Sequence, residues 1–408
     1  MKSMLQGLRV LDLSDANAYS CGRYFASLGA EVIQVESPGG DKHRHAIAPP
    51  ALINHNDTAY WQAQNIGKKS ITLNLESDAG VELCKRLMHT CDFIIESFTP
   101  GYLQNLGLDY ATISQDNPKI IFVSITPFGQ TGPYKHYQGG ELITSAMSGV
   151  LDTCGYANDT PVLEALDACT FHANTVAAMG AMMAYRERGI SGKGQQVDCS
   201  IQEVAASRNT NNLIAYQFDK RKLVRAGNCV RFGVATVRVV WELKDGYCFH
   251  SLMTGKFGAP ANSALSQWMT ELGFDNPMAD VDWENYDRSA LPAETRDVWE
   301  AAMNRFFRSL TKEDIRTEGY RRGIRATVAN TPADVLNDPH LNARQFLQNV
   351  QLQDKLIKYP ANFVKSNQVR TTIPSLLSEP GQHNREIYGG LLNLSEADLQ
   401  QLQQAGAV

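Results

Sequence analysis

A chain of 408 residues is longer than one hydrophobic core ordinarily serves, so two or three domains are expected. Its 43% hydrophobic and 20% charged residues are ordinary for a globular protein and exclude a disordered or collagen-like chain. The formal charge of -5, from 38 Lys+Arg against 43 Asp+Glu, offers no basic excess for non-specific nucleic-acid binding.

The apolar run Leu8–Leu13 predicts a first strand, and Ser20–Leu28 a helix with Gly29 at its C-cap. Glu31–Glu36 is a second, β-branched strand and Ile71–Leu75 a third. A helix over Asp78–His89, a strand over Asp92–Glu96, another helix and a strand over Lys119–Ser124 follow. Strands separated by helical stretches of this length predict βαβ units and a mostly parallel sheet covered on both faces. Glu141–Ala206 reads as helical, interrupted near Cys154–Thr160. The basic run Lys220-Arg221-Lys222 reads as a solvated surface. Val234–Trp241 and Gly246–Leu252 flank Lys244-Asp245-Gly246, a hairpin signal, and helices are expected at Ser263–Leu272 and Glu294–Leu310. Residues 225–325 therefore predict a smaller α+β domain. The tail has helical signals at Pro332–Leu336, Leu341–Phe346 and Glu396–Gln404.

The opening MKSMLQGLRVLDLS lacks the apolar run of a signal peptide. The most apolar stretch, Thr175–Tyr185, falls short of the roughly 20 residues that span a bilayer and reads as a buried core helix. The eight cysteines show no C-x-x-C pair and no zinc-type spacing, so they read as buried thiols of a reducing cytoplasm. No membrane association and no metal site are expected. The turn after the first strand, Ser14–Tyr19, is not G-x-G-x-x-G, and P-loop, G-x-S-x-G and H-E-x-x-H patterns are absent. Nicotinamide, nucleotide-triphosphate and metal chemistry are thereby disfavoured. His43 and His45 read as solvated residues of a charged loop.

Five strings are more specific: LGAEVIQVESPGGD (28–41), NIGKKSITLNL (65–75), ESFTPGYLQNLGLDY (96–110), NPKIIFVSITPFGQTGPY (117–134) and SGKGQQVDCSIQEV (191–204). In this order and spacing they resemble the class III (CaiB/BaiF) CoA-transferase family. The resemblance implies an α/β fold: a Rossmann-like large domain from residues 1–215 and 330–408, a small domain at 225–325, and two chains interlocked like links. Later strings, among them WELKDGYCFHSL (241–252) and DPHLNARQF (338–346), look like the branch that contains benzylsuccinate CoA-transferase. The implied reaction exchanges CoA between succinyl-CoA and an aryl-substituted dicarboxylate such as benzylsuccinate, as in anaerobic toluene degradation. No permanently bound cofactor is implied, because CoA thioesters are substrates. The implied partner is a related subunit, in a heterodimer or heterotetramer.

Moving CoA between acids without hydrolysis needs a covalent relay through a carboxylate. The family places one aspartate ahead of the helix that precedes its T-G-[KR]-G-Q turn, and the acid in that window here is Asp167, with Glu164 three residues earlier. The family spacing lands on Ala168, one residue later, so Asp167 reads either as the nucleophile or as a helix N-terminal acid favoured by the dipole. The first loop has Ala18-Tyr19-Ser20 where the family has Ala-Gly-Pro, bringing bulk to a place where glycine leaves room. By resemblance, CoA contacts fall on Asn17, Ala18, Lys68, Lys69, Ser97, Phe98, Thr99 and Lys135, whereas Ser37-Pro38 stands where the family has a basic residue. Two other readings remain: a non-catalytic subunit interlocked with an active paralogue, and a racemase-like enzyme with His172 as base.

Overall fold

Short runs of β-branched and aromatic residues, bounded by turns, build a six-stranded sheet. The structure, a computed structural model, describes residues 3–44, 57–232, 235–352, 355–360, 363–367, 376–377 and 379–408. His45 and Val234 lie outside the described residues. Strands β1 (Arg9–Asp12), β2 (Glu31–Glu36), β3 (Lys69–Thr72), β4 (Phe93–Glu96), β5 (Ile121–Thr126) and β6 (Gln196–Ser200) lie in the order β3-β2-β1-β4-β5-β6. Every pairing is parallel. β4 and β5 are buried along their whole length, as strands covered on both faces must be. Each fully buried Ile or Phe contributes about 1.5–3 kcal/mol against an exposed one. The third strand begins two residues before the expected Ile71, because Lys69 and Ser70 already pair with Ile33 and Gln34.

Helices α1 (Tyr19–Ser27), α2 (Asp57–Asn65), α3 (Asp78–Met88), α4 (Tyr102–Asn105) and α5 (Tyr110–Asp116) connect the strands. Ser77 starts α3 by accepting the Gly80 amide at 3.1 Å. The outer edge of β3 is closed by the C-terminal tail. His383 Nδ1 accepts the Ser70 amide at 3.0 Å, Asn384 Oδ1 accepts the Thr72 amide at 2.9 Å, and the Tyr388 hydroxyl donates to the Thr72 carbonyl at 2.7 Å. Amides that would otherwise invite another strand are thus occupied. Tyr388 also joins Leu11, Ile33, Ile71, Leu87, Ile94 and Phe122 in the core.

After β5 come α6 (Glu141–Met147) and the 24-residue α7 (Ala168–Ser191), then α8 (Ile201–Arg208) and α9 (Thr210–Asp219) beyond β6. α7 is not the buried core helix that its apolar sequence predicts. Ala173, Ala177, Ala181 and Ala184, at helical spacing, let one face pack closely, while Val176, Met179 and Met183 are exposed, Met183 by 65%.

By its contacts the chain forms two units: one takes the residues up to Leu151, Leu163–Lys220 and Asp338–Val408, the other Asp152–Val162 and Arg221–Asn337. In the second unit β7 (Cys229–Phe232) pairs with β8 (Ala235–Arg238), and β9 (Val240–Leu243), β10 (Gly246–His250) and β11 (Ala326–Ala329) form a second antiparallel sheet. The hairpin around Lys244-Asp245 is present, but the single strand expected over 234–241 is two. Val239 separates them, its amide donating to Asn228 O at 2.9 Å. Helices α10 (Gly255–Glu271) and α11 (Ala293–Arg308) supply Leu265, Trp268, Trp299, Phe306 and Phe307 to a core with Trp241. Among the described residues no helix is long and apolar enough to cross a membrane. All eight cysteines are unpaired thiols, six of them buried.

Candidate functional site

The strand order reverses between β1 and β4, and in open parallel sheets ligands bind at the carboxyl ends of the strands at such a reversal. Here the loops leaving those two strands are bolted together. The Asp15 amide donates to Ser97 Oγ at 2.8 Å, and the same hydroxyl donates to Asp15 Oδ1 at 2.8 Å. Asp15 Oδ1 also accepts the Asn17 amide at 3.0 Å. A cleft of about 560 Å³ opens beside them, lined by residues that include Ser14, Asp15, Glu36, Asp41, Lys42, His43, Glu76, Phe98 and Tyr102. Phe98 stacks on Tyr102 with ring centroids 4.7 Å apart. The sequence-expected Asn17, Ser97, Phe98 and Thr99 therefore meet at one edge of the sheet, with Thr99 exposed. Ala18 is fully buried at the start of α1, so in this structure Asn17 is the member of that pair that reaches the surface.

The two lysines behave differently from expectation. Lys68 is fully buried, and its ammonium donates to Asp12 Oδ2 at 2.7 Å, Gln34 Oε1 at 2.8 Å and Asn65 Oδ1 at 2.8 Å. An ammonium has three donors, and all three are used. Burial lowers its pKa and the Asp12 charge opposes that shift. Asp12 in turn accepts the Ser14 amide at 3.1 Å and hydroxyl at 2.5 Å, so the pair anchors the first loop from beneath and is not free to meet a phosphate. Gly22 leaves the space for it, since a Cβ there would lie 2.0 Å from Asp12 Oδ2. Lys69 bridges Glu31 and Glu386 at 2.7 and 2.6 Å, tying β2 to the C-terminal tail, and does not line the cleft. Lys135, partly exposed on the loop after β5, stands between Tyr134 and Tyr137, whose rings cluster with Phe128, and is also outside the cleft lining.

Asp167 precedes α7 in a left-handed turn, with φ of +49° after a φ of +68° at Leu166. Two successive left-handed residues other than glycine cost of order 1–3 kcal/mol each and persist where the surroundings over-determine them. The dipole-capping role expected for an acid here belongs to Glu141. Its Oε1 accepts the Cys169 amide at 2.8 Å, and its Oε2 accepts the Thr170 amide and hydroxyl at 3.0 and 2.9 Å, while the Asp167 side chain makes no cap. Glu164 pairs with Arg208 at 2.8 Å. His172, the base of the racemase-like reading, is exposed on α7.

Three further residues were not legible as site components. Glu96, ending β4, is 4% exposed; its Oε2 accepts the Phe98 amide at 2.8 Å, and its carboxyl is pushed up to about 7. Burial is the main cause, aided by the Asp198 and Asp15 charges and opposed by hydrogen bonds from Ser124 and Phe98. A smaller cavity of about 230 Å³ adjoins it, lined also by Tyr110, Ser124, Gln130 and Gln196. Asn174, buried on α7, donates to the Asn17 carbonyl at 2.7 Å and accepts the Cys21 amide at 2.8 Å. His43, expected to be solvated, instead sets Nδ1 3.1 Å from Asp41 Oδ1 and 3.2 Å from the Tyr19 hydroxyl, which itself bonds Asp41.

A sequence model of CoA-transferase family III matches residues 5–384. The chain is 32% identical to the succinyl-CoA:(R)-benzylsuccinate CoA-transferase subunit BbsE of Thauera aromatica, over 93% of this chain and 92% of that one. It is 30% identical to a succinyl-CoA–D-citramalate CoA-transferase of Chloroflexus aurantiacus, over 98% and 96% of the two chains. Among solved structures it is similar to a CaiB/BaiF family protein from Brucella suis, with a TM-score of 0.82 at 26% identity, covering 96% of this chain and 100% of that one.

Proposed function

The chain belongs to CoA-transferase family III, and from that premise we propose that it exchanges CoA between succinyl-CoA and an aryl-substituted dicarboxylate such as benzylsuccinate, within an assembly that includes a related subunit. The observation that carries this reading is the similarity to a benzylsuccinate CoA-transferase subunit along 93% of the chain. In this reading the large unit holds the CoA thioester at the loops of Asn17 and Ser97–Thr99.

The chemistry assigned to Asp167 balances as two exchanges. Its carboxylate attacks the succinyl-CoA carbonyl, CoA thiolate leaves, and a mixed anhydride forms. The thiolate then attacks the aspartyl carbonyl and succinate leaves, so that CoA rests on Asp167 as a thioester. The incoming dicarboxylate attacks that thioester, and the released thiolate takes up the new acyl group and restores the carboxylate. Two features support Asp167: a turn of strained backbone presents it, and Glu141 relieves it of capping α7. Incubation with succinyl-CoA followed by borohydride or hydroxylamine should mark Asp167, and Asp167→Asn should lose the mark with transfer falling by about 10³-fold or more. Unmarked Asp167 in an assembly that transfers CoA would remove the role.

A second reading, a non-catalytic subunit beside an active paralogue, is favoured by Ala168 at the family's nucleophile register and by the bulk of Tyr19 in the first loop. Transfer unchanged by Asp167→Asn in the assembly would establish it. Support for a partner comes from the apolar surface of the large unit. Phe171, Met179, Met183 and Ile190 on α7 are all exposed by more than 45%, and Leu142 and Ile143 on the preceding helix α6 are exposed as well. A reducing compartment such as the cytoplasm fits the unpaired thiols.

A further inference from the structure

Glu96 closes β4 immediately before the Ser97–Thr99 loop, and the transfer chemistry leaves it unused. It is buried, and one bond ties it to that loop, from the Phe98 amide to its Oε2 at 2.8 Å. Its Oε1 lies 3.5 Å from Gln130 Nε2. The 230 Å³ cavity beside it is lined by a second carboxyl, Asp109, and, among the described residues, by no Lys, Arg or His. Asp109 is itself occupied with the Ala111 amide and the Thr112 hydroxyl at the start of α5. Acids face Glu96 from other elements too. Asp15 stands on the loop after β1, bonded to the Ser97 hydroxyl, and Asp198 on β6 accepts the Gln130 amide at 3.1 and 3.0 Å. From β5 it meets the neutral Ser124 hydroxyl, which can accept a proton's bond as readily as donate one. With burial and two carboxylates against it and no cation beside it, the carboxyl is pushed up to about 7, so both of its forms are populated near neutrality.

We propose that binding of CoA at the Ser97–Thr99 loop is coupled to uptake of a proton from solution by Glu96, so that the ligand is held less tightly as the solution becomes more alkaline; the proposal rests on the reading of that loop as part of the CoA site. Both changes that bound CoA brings act in one direction. Its pantetheine arm displaces water from the loop that covers Glu96, and loss of water disfavours the ionised carboxyl. Its phosphates add negative charge to a cluster that already contains Asp15 and Asp198. One further charge roughly 10 Å away, at an effective dielectric constant of about 20, changes the proton affinity of a carboxyl about tenfold. The sign follows from linkage: a ligand that prefers the protonated protein loses affinity as pH rises. A tenfold preference gives a tenfold loss, spread between about pH 6 and 9.

The test is calorimetric titration of CoA into the full-length chain at pH 7, in buffers of different ionisation enthalpy, which counts the protons taken up on binding. A tenfold preference predicts about 0.4 proton per CoA at Glu96, as a half-protonated carboxyl becomes about nine-tenths protonated. Glu96→Gln keeps an acceptor for the Phe98 amide and should remove that fraction, with the affinity varying less between pH 6 and 9 than in the wild type. Asp198→Asn removes a charge that favours the proton and should move the midpoint of the pH dependence downward. Equal uptake by wild type and Glu96→Gln, or release in place of uptake, overturns the coupling and leaves the CoA site standing. Wild-type protein that binds no CoA overturns the CoA reading and the coupling with it.

Discussion

Glu96→Gln isolates the charge buried under the Ser97–Thr99 loop. In the folded chain the Glu96 carboxyl is raised from 4.5 to about 7, chiefly by burial. A group whose folded pKa lies above its unfolded one favours the native state most at low pH. Its contribution is full below about 4.5, declines as pH rises toward 7, and is gone above it. At about 1.4 kcal/mol per pH unit, ionised Glu96 costs the fold roughly 3 kcal/mol at pH 8 relative to pH 4. Glutamine keeps an oxygen for the Phe98 amide and carries no charge, so the variant should equal the wild type near pH 5 and exceed it by about 2–3 kcal/mol at pH 8. Urea denaturation of both proteins at half-unit steps from pH 5 to 9 measures this. A difference between them that is the same at pH 5 and pH 8 would refute burial as the source of the shift.

Lys68→Met strands the Asp12 carboxylate in a dry interior and should cost about 3–5 kcal/mol of unfolding free energy. Adding Asp12→Asn should recover part of that loss, and a double variant no more stable than the single would contradict a buried-charge penalty. Glu141→Ala removes three hydrogen bonds at the start of α7 and should lower stability by about 1–2 kcal/mol, read from the denaturation midpoint. Met183→Glu should dissociate the assembly in size-exclusion chromatography while leaving unfolding of the separated chain within about 0.5 kcal/mol of wild type, because that side chain is 65% exposed.

The parallel sheet was readable because strands buried on both faces announce themselves as unbroken apolar runs; Phe93-Ile94-Ile95 and Ile121-Phe122-Val123 leave little alternative. The Ser97–Thr99 loop followed, since a strand end fixes where its next loop emerges. What failed depends on partners far along the chain. Lys68 reads by resemblance as a CoA contact, and only the fold brings it to Asp12, 56 residues earlier. Glu141 caps a helix that starts 27 residues later, so no capping-box spacing betrays it. His43 sits in a polar stretch that looks solvated, and its contact with Tyr19 spans 24 positions. Strand β8 was merged with β9 because alternation continues through Val239, and the choice of partner strand leaves no local trace.

These long-range contacts also explain why the first loop and the start of α7 form one mechanical unit. Asp15 and Ser97 fix the loop to the end of β4, and the Asp12–Lys68 pair holds it from below. Asn174 then links it sideways, taking the Asn17 carbonyl and the Cys21 amide while also donating to Thr170 O at 2.8 Å. Thr170 is itself held by Glu141, only three residues beyond Asp167. A run of buried and half-buried hydrogen bonds therefore leads from the proposed CoA cradle to the strained turn that presents the acid, and such networks resist displacement because a broken link leaves polar groups without partners. The bulk of Tyr19 belongs to the same frame, since its hydroxyl extends the network to Asp41 and His43 at the mouth of the cleft. A glycine in its place would open room but would cut that extension to Asp41 and His43, so the side chain at this position sets both the space and the rigidity of the cleft mouth.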